Sequence, residues 1–198
     1  MSVYRDAASV IASSARGAVN VLAGAPGFSV AQLRDPAFLA TVRGALAEHG
    51  LQGRHLELEI TESAAVLPTQ LLESTLTALR AEGISIAVDD FGTGYSSLSY
   101  LERLPLDRIK IDRGFVRQLR QARSARIAET VAQLGRRLGL QVLAEGIEDA
   151  DTLQALVDMG CHEGQGYHIA QPMEREALQA WLLREAVAQA GAAHAVAA

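Results

Sequence analysis

One cysteine, Cys161, in 198 residues leaves no partner for an internal disulfide and no cysteine-rich metal site, and it fits a reducing compartment. By itself it reads as a small buried hydrophobe. Cationic excess is lacking too. With a formal net charge of −5, no broad basic face supplies the counterion release that binding to a nucleic acid polymer needs, so an anionic ligand would require local cations. No unbroken apolar run long enough to cross a membrane is present, and residues 1–17, which include Arg5 and Asp6, lack the form of a signal peptide. A cytoplasmic location is the expectation. No Gly-x-Gly-x-x-Gly turn follows an early strand, which argues against a dinucleotide-dependent oxidoreductase on an open sheet. No linker rich in Pro or Ser divides the chain either; one domain over residues 1–185 is expected, and the Ala-rich tail 186–198 carries nothing to dock chemistry.

What is present is an alternation of helix and strand periods. Asp35 and Pro36 open a helix with Phe38, Leu39, Val42 and Leu46 at helical spacing, which Gly50 stops. Leu56 to Thr61 alternates strictly and reads as a strand; a helix carrying Leu72, Leu76 and Leu79 follows, ended by Gly83. Then come a strand over Ile84 to Phe91, a short helix over Ser96 to Arg103 and a strand over Arg108 to Asp112. A long helix follows with Ile127, Val131, Leu134 and Leu138 in register, then a strand over Gln141 to Glu145, a helix over Asp149 to Met159 and a last apolar segment around Gly166 to Ala170. With Ala18 to Ala23 counted, strand candidates number about six. Repeated strand–helix units imply a parallel sheet, either doubly wound or closed as a barrel, and a full barrel takes eight strands and about 250 residues. The fold expected is therefore α/β; composition does not choose between the two, and if it is a TIM-like (β/α) barrel it is incomplete at its N-terminal side.

Chemistry gathers at the strand ends. Leu56, Leu58 and Ile60 share one face, and Glu57, Glu59 and Thr61 the other; Ile86 and Val88 oppose Ser85, Ala87 and Asp89. Ile109 and Ile111 oppose Lys110 and Asp112, while Val142 and Ala144 oppose Leu143 and Glu145. In a β/α barrel the C-terminal strand ends form the active mouth, so these acids would converge there. Several carboxylates in a partly dry cleft repel one another, and Lys110 alone cannot neutralise them. One or two divalent cations would. All-oxygen ligands favour Mg2+, Mn2+ or Ca2+ over zinc, and paired ions of this kind serve in-line attack of water on a phosphodiester. The run Asp89-Asp90-Phe91-Gly92-Thr93-Gly94-Tyr95-Ser96-Ser97 adds tandem acids before a glycine loop able to bend over a ligand.

Five ordered segments carry a resemblance: Glu57-Leu58-Glu59-Ile60-Thr61-Glu62, the Asp89 to Ser97 loop, Lys110-Ile111-Asp112, Ala144-Glu145-Gly146-Ile147-Glu148 and Gly164-Gln165-Gly166-Tyr167. In order and spacing they resemble the motifs of the EAL-domain family over about Ser29 to Leu183. The resemblance implies a β/α barrel of bacterial signal transduction that opens cyclic di-GMP to the linear dinucleotide pGpG with two Mg2+ or Mn2+ ions. By position it implies Glu59, Asp89, Asp90 and Glu145 as metal-site acids, with Lys110, Glu145 and Asp89 as catalytic groups and Lys110 orienting water or steadying the phosphate. It further implies Glu148 and Gln165 near the second metal and the guanine ring, Glu62 as the anchor of the glycine loop, and a homodimer or partner domain.

Two parts of the family pattern are not matched. No Glu-Ala-Leu segment precedes residue 20, and Glu176-Ala177-Leu178 spells it only in the closing helix after Pro172. For the family's metal-binding asparagine, aligning on Ser29 and Gln32 puts Gly27 in its place, whereas Asn20 fits if Leu22 to Phe28 is an insertion; Asn20 is carried as the candidate. The expectation is a weakened metal pair, impaired hydrolysis and an open barrel seam. The alternative is an inactive module of the same fold that binds cyclic di-GMP or a protein partner.

Overall fold

The computed structural model describes residues 9–15, 18–24, 33, 35–65, 70–93, 99–174, 176–178, 180–181 and 183–184. Gly27, residues 94–98 of the glycine loop and the tail 186–198 lie outside them. Seven strands form one sheet in chain order: β1 (Ser9–Ala15), β2 (Ala18–Gly24), β3 (Leu56–Thr61), β4 (Ser85–Phe91), β5 (Arg108–Ile111), β6 (Gln141–Glu145) and β7 (Glu163–Gln165). Strands β2 to β7 pair in parallel, and the long connections between them supply the crossovers that parallel neighbours need. Strand β1 is antiparallel to β2 and also runs beside β7, so the sheet curls until its first and last members are neighbours. The helices are α1 (Phe38–Glu48), α2 (Glu62–Ala65), α3 (Gln70–Ala81), α4 (Ser99–Arg103), α5 (Arg113–Arg117), α6 (Ala122–Arg137) and α7 (Ala150–Met159). No helix among the described residues is long and apolar enough to cross a membrane.

The apolar strand faces turn outward to the helices. Leu58, Ile60, Ile86, Val88, Ile109, Ile111, Val142 and Ala144 are buried in one cluster with Leu72, Leu76 and Leu79 of α3 and Val131 and Ala132 of α6. The opposite faces carry Glu57, Glu59, Arg108, Lys110 and Glu163, all buried. Where other barrels fill the interior with branched aliphatics, this one sets these charges beside Ala87 and Leu143.

Three details differ from the sequence expectation. Strand β1 is not foreshadowed, because SVIASSA offers small and hydroxyl residues with no clear alternation. The last strand is the three-residue Glu163–Gln165, not the apolar stretch after it. Its middle residue, Gly164, comes so close to Ile147 that a Cβ would stand 2.6 Å from the Ile147 side chain, so the strand has no apolar side chain to betray it. Helix α1 starts at Phe38: Asp35 accepts a hydrogen bond from the Ala37 amide at 2.8 Å and shapes a turn ahead of the helix.

Candidate active site

Lys110 is the only lysine in the chain, against 17 arginines. It sits on β5 with 3% of its side chain exposed, and three carboxylates from three other strands meet its ammonium. Its Nζ lies 2.6 Å from Glu59 of β3, 3.2 Å from Asp89 of β4 and 2.6 Å from Glu145 of β6. The register explains the meeting. Glu59 pairs with Ala87, two residues before Asp89 on the same strand face, and Lys110 pairs with Leu143, two before Glu145. All four sit at the C-terminal rim.

Asp90 joins them through an irregularity. Between Val88 and Phe91 strand β4 holds one residue more than β5, a bulge, and Asp90 takes φ 55°, a left-handed conformation that aspartate tolerates better than most residues. Strict alternation would have sent Asp90 to the helix side. Instead partial burial and the like charges of Asp89 and Asp112 raise its carboxyl above the ordinary range, and the Asp90 amide donates to Asp89 Oδ1 at 3.0 Å. The loop that follows is held by Glu62 at the start of α2, which accepts from the Gly92 amide at 3.0 Å.

Electrostatics set the demand for a cation. Burial raises the carboxyls of Glu59 and Glu145, and Lys110 pulls each back only in part. Burial alone would lower the Lys110 ammonium, but Glu145, Glu59 and Asp89 outweigh it and hold the group above the ordinary lysine value. Three acids thus meet one positive charge, with Asp90 beside Asp89 and Asp112 at their edge. Among the described residues no three acid, histidine or cysteine side chains are spaced as a ready-made ion cage; the acids converge on the ammonium. The donor set nevertheless fits a hard divalent ion, since it is all carboxylate oxygen and carries an excess of negative charge that a 2+ ion would neutralise.

Beside Glu145 opens a cleft of about 240 Å3 lined by Arg113, Arg117, Glu148, Gln165 and Tyr167 among others. Glu148 is paired with Arg117 at 2.6 Å, both half exposed, while Oε1 of Gln165 is buried without a hydrogen-bond partner. Asn20 is not brought to this rim. Gly24 of β2 pairs with Glu57, so the Asn20 backbone lies four residues below that level and Glu59 two above it, a separation of roughly 20 Å at ~3.3 Å per residue. The antiparallel β1 partner of Asn20 is Ser13, at the far end of the sheet, and this corrects its assignment as a metal ligand.

Sequence reasoning missed the layer beneath. Arg108 Nη1 donates to both oxygens of Glu57, at 2.8 and 2.7 Å, and Nη2 to Glu163 Oε1 at 2.8 Å. The signal was available, since alternation puts Glu57 on the Glu59 face and Arg108 on the Lys110 face. Only Glu163, on the unforeseen short strand, was hidden.

A curled parallel sheet whose C-terminal rim gathers acids around one lysine defines a β/α barrel with an all-oxygen donor set at its mouth. The EAL domain family matches residues 11–172, and the chain belongs to that family. The match starts earlier and ends earlier than the motifs alone suggested. A cyclic di-GMP phosphodiesterase of Pseudomonas aeruginosa is 43% identical over 157 residues, 79% of this chain and 27% of that protein. The bifunctional diguanylate cyclase/cyclic di-GMP phosphodiesterase MucR of the same species is 42% identical over 77% of this chain and 22% of its own. The chain therefore spans about a quarter of the length of these relatives. Among solved structures, the EAL domain of Mycobacterium smegmatis DcpA superposes with a TM-score of 0.74 at 38% identity, covering 80% of this chain and 72% of that one. The MucR phosphodiesterase in complex with cyclic di-GMP gives 0.72 at 41% identity, over 77% and 62%.

Proposed function

We propose that this chain hydrolyses cyclic di-GMP to pGpG with Mg2+ or Mn2+ at the rim described above. The observation that carries the reading is the meeting of Glu59, Asp89 and Glu145 on Lys110, with Asp90 turned toward them by the bulge. Glu59, Asp89, Asp90 and Glu145 would hold the ions. A bound divalent ion polarises a phosphoryl oxygen and offsets the charge that develops there. Lys110, a compact point charge with three donors, steadies the phosphate or orients the attacking water. Water adds across one P–O3′ bond; the hydroxyl ends on phosphorus and the proton on the departing 3′ oxygen, leaving a 5′-phosphate and a free 3′-hydroxyl.

The cleft beside Glu145 serves one half of the dinucleotide. It is smaller than the roughly 300–1,000 Å3 that encloses a whole drug-sized ligand, and Gln165 Oε1 is a buried acceptor there that a base N–H would satisfy. Glu62 holds the glycine loop, where this reading also places contact with a second copy or a partner domain. A cytoplasmic site of action follows from the substrate class.

Isothermal titration with cyclic di-GMP in Mn2+, combined with chromatographic detection of pGpG, tests this. Binding with product formation supports the reading. Binding without product favours an inactive binding module of the same fold, and neither result refutes both.

A further inference from the structure

The buried layer of Glu57, Arg108 and Glu163 has no part in the reaction just proposed, yet it is built of charge. Side-chain exposure is 10% for Arg108, 4% for Glu57 and 6% for Glu163. Apolar residues of like volume commonly stabilise a core as well as a buried ion pair does, so stability alone is a weak reason for such a layer. The layer is also incompletely satisfied: Arg108 Nε and Glu163 Oε2 have no hydrogen-bond partner. Its geometry supplies another reason.

Each member lies two residues before a member of the rim on the same strand face: Glu57 before Glu59 on β3, Arg108 before Lys110 on β5, Glu163 before Gln165 on β7. Strands β3 and β5 are separated by β4, and β5 and β7 by β6, so no backbone ladder joins them directly. The guanidinium does. It crosses the interior to both, and the small side chain of Ala87, its register partner on β4, leaves it room. A planar guanidinium that holds two carboxylates at once, Glu57 through Nη1 and Glu163 through Nη2, sets orientation as well as distance. We infer that Glu57, Arg108 and Glu163 are positioning residues, a platform that fixes β3, β5 and β7 so that Lys110 and Glu59 meet and Gln165 faces the cleft. Its catalytic consequence rests on the proposed hydrolysis; its effect on Lys110 does not.

Two variants of the full chain test it. Arg108→Lys keeps the charge and loses the fork; Glu57→Leu with Arg108→Met and Glu163→Leu replaces the layer with apolar volume and leaves no orphaned charge. Lys110 is the only lysine, so acetylation of its ε-amine by acetic anhydride, followed by peptide mass spectrometry, reads its ion pairing in the folded protein without reference to turnover. The platform predicts that labelling of Lys110 rises about tenfold in both variants, as local openings become more frequent. For cyclic di-GMP in Mn2+, kcat should fall roughly 10- to 100-fold with little change in KM, as misplacement of reacting groups would cause. A layer serving the fold alone would shift the unfolding midpoint and leave Lys110 labelling of the folded protein at the parental rate, which overturns the inference. If the triple variant does not fold, parental labelling in Arg108→Lys overturns it equally. Should the parent protein make no pGpG, the proposed function fails, while labelling still decides the platform.

Discussion

Lys110 and Arg108 stand two residues apart on one strand, face the same interior and are not interchangeable. The lysine is a point charge small enough for three carboxylates to reach at 2.6 to 3.2 Å, while the arginine is a fork whose two terminal nitrogens reach Glu57 and Glu163 on opposite sides. In a chain that uses arginine at every other basic position of the Lys/Arg kind, the single lysine marks where fork geometry would be wrong. The acids around it are the residues to remove. Glu59→Ala and Asp89→Ala should each abolish Mn2+-dependent binding of cyclic di-GMP in isothermal titration, because each strips a carboxylate from the rim. Cys161→Ala should leave binding at the parental level. Burial pushes the Cys161 thiol up to about 11, which makes it an inert core group rather than a ligand or nucleophile. Equal binding by all three variants would remove the metal site from consideration.

At the scale of elements, two glycines separate tight construction from slack. Gly166 follows β7 directly, and a Cβ there would stand 2.1 Å from the carbonyl oxygen and 2.3 Å from the nitrogen of Ile147. Backbone cannot yield as a side-chain tip can, so Gly166→Ala should cost about 3 kcal/mol, at the upper end of overpacking penalties. Gly44 lies inside α1, and a Cβ added there would have nothing within 4 Å, so Gly44→Ala should stabilise by roughly 0.5–1 kcal/mol through helix propensity. Urea denaturation of the two variants checks both signs. The approach of Ile147 to β7 is a tertiary fact that composition does not announce, and the same holds for much else that sequence reasoning missed. The alternation of apolar and acidic residues made the inward faces of β3 to β6 legible, together with the gathering of Glu59, Asp89, Lys110 and Glu145. Asp90 was legible only as one of a tandem pair, because the bulge that redirects it is a property of pairing with β5. Asn20 was misplaced because local sequence fixes the residues of a strand but not its vertical register against a neighbour 30 or more positions away.

For the whole molecule, the question is how a chain of net charge −5 tolerates its most acidic point inside a barrel mouth. The apolar faces point outward to the helices, so folding stability resides in that shell, and the interior is free to hold charge that serves chemistry. The rim acids outnumber the single lysine, a deficit that the native state can relieve by taking up cations or protons, whereas an unfolded chain disperses the same acids in water. On the proposed function a divalent ion binds the folded state in preference, and its binding should appear as stability. At a Mn2+ concentration near 100 times the dissociation constant the gain is about 2.7 kcal/mol. For a domain of 150–250 residues each kcal/mol moves the melting midpoint by about 2–4 °C, so Mn2+ should raise it by roughly 5–10 °C. Chelation with EDTA should reverse the shift, and Asp89→Ala should abolish it. A midpoint indifferent to Mn2+ in the parent chain would mean that Lys110 and bound protons balance the rim and that hydrolysis by this site has no metal to draw on.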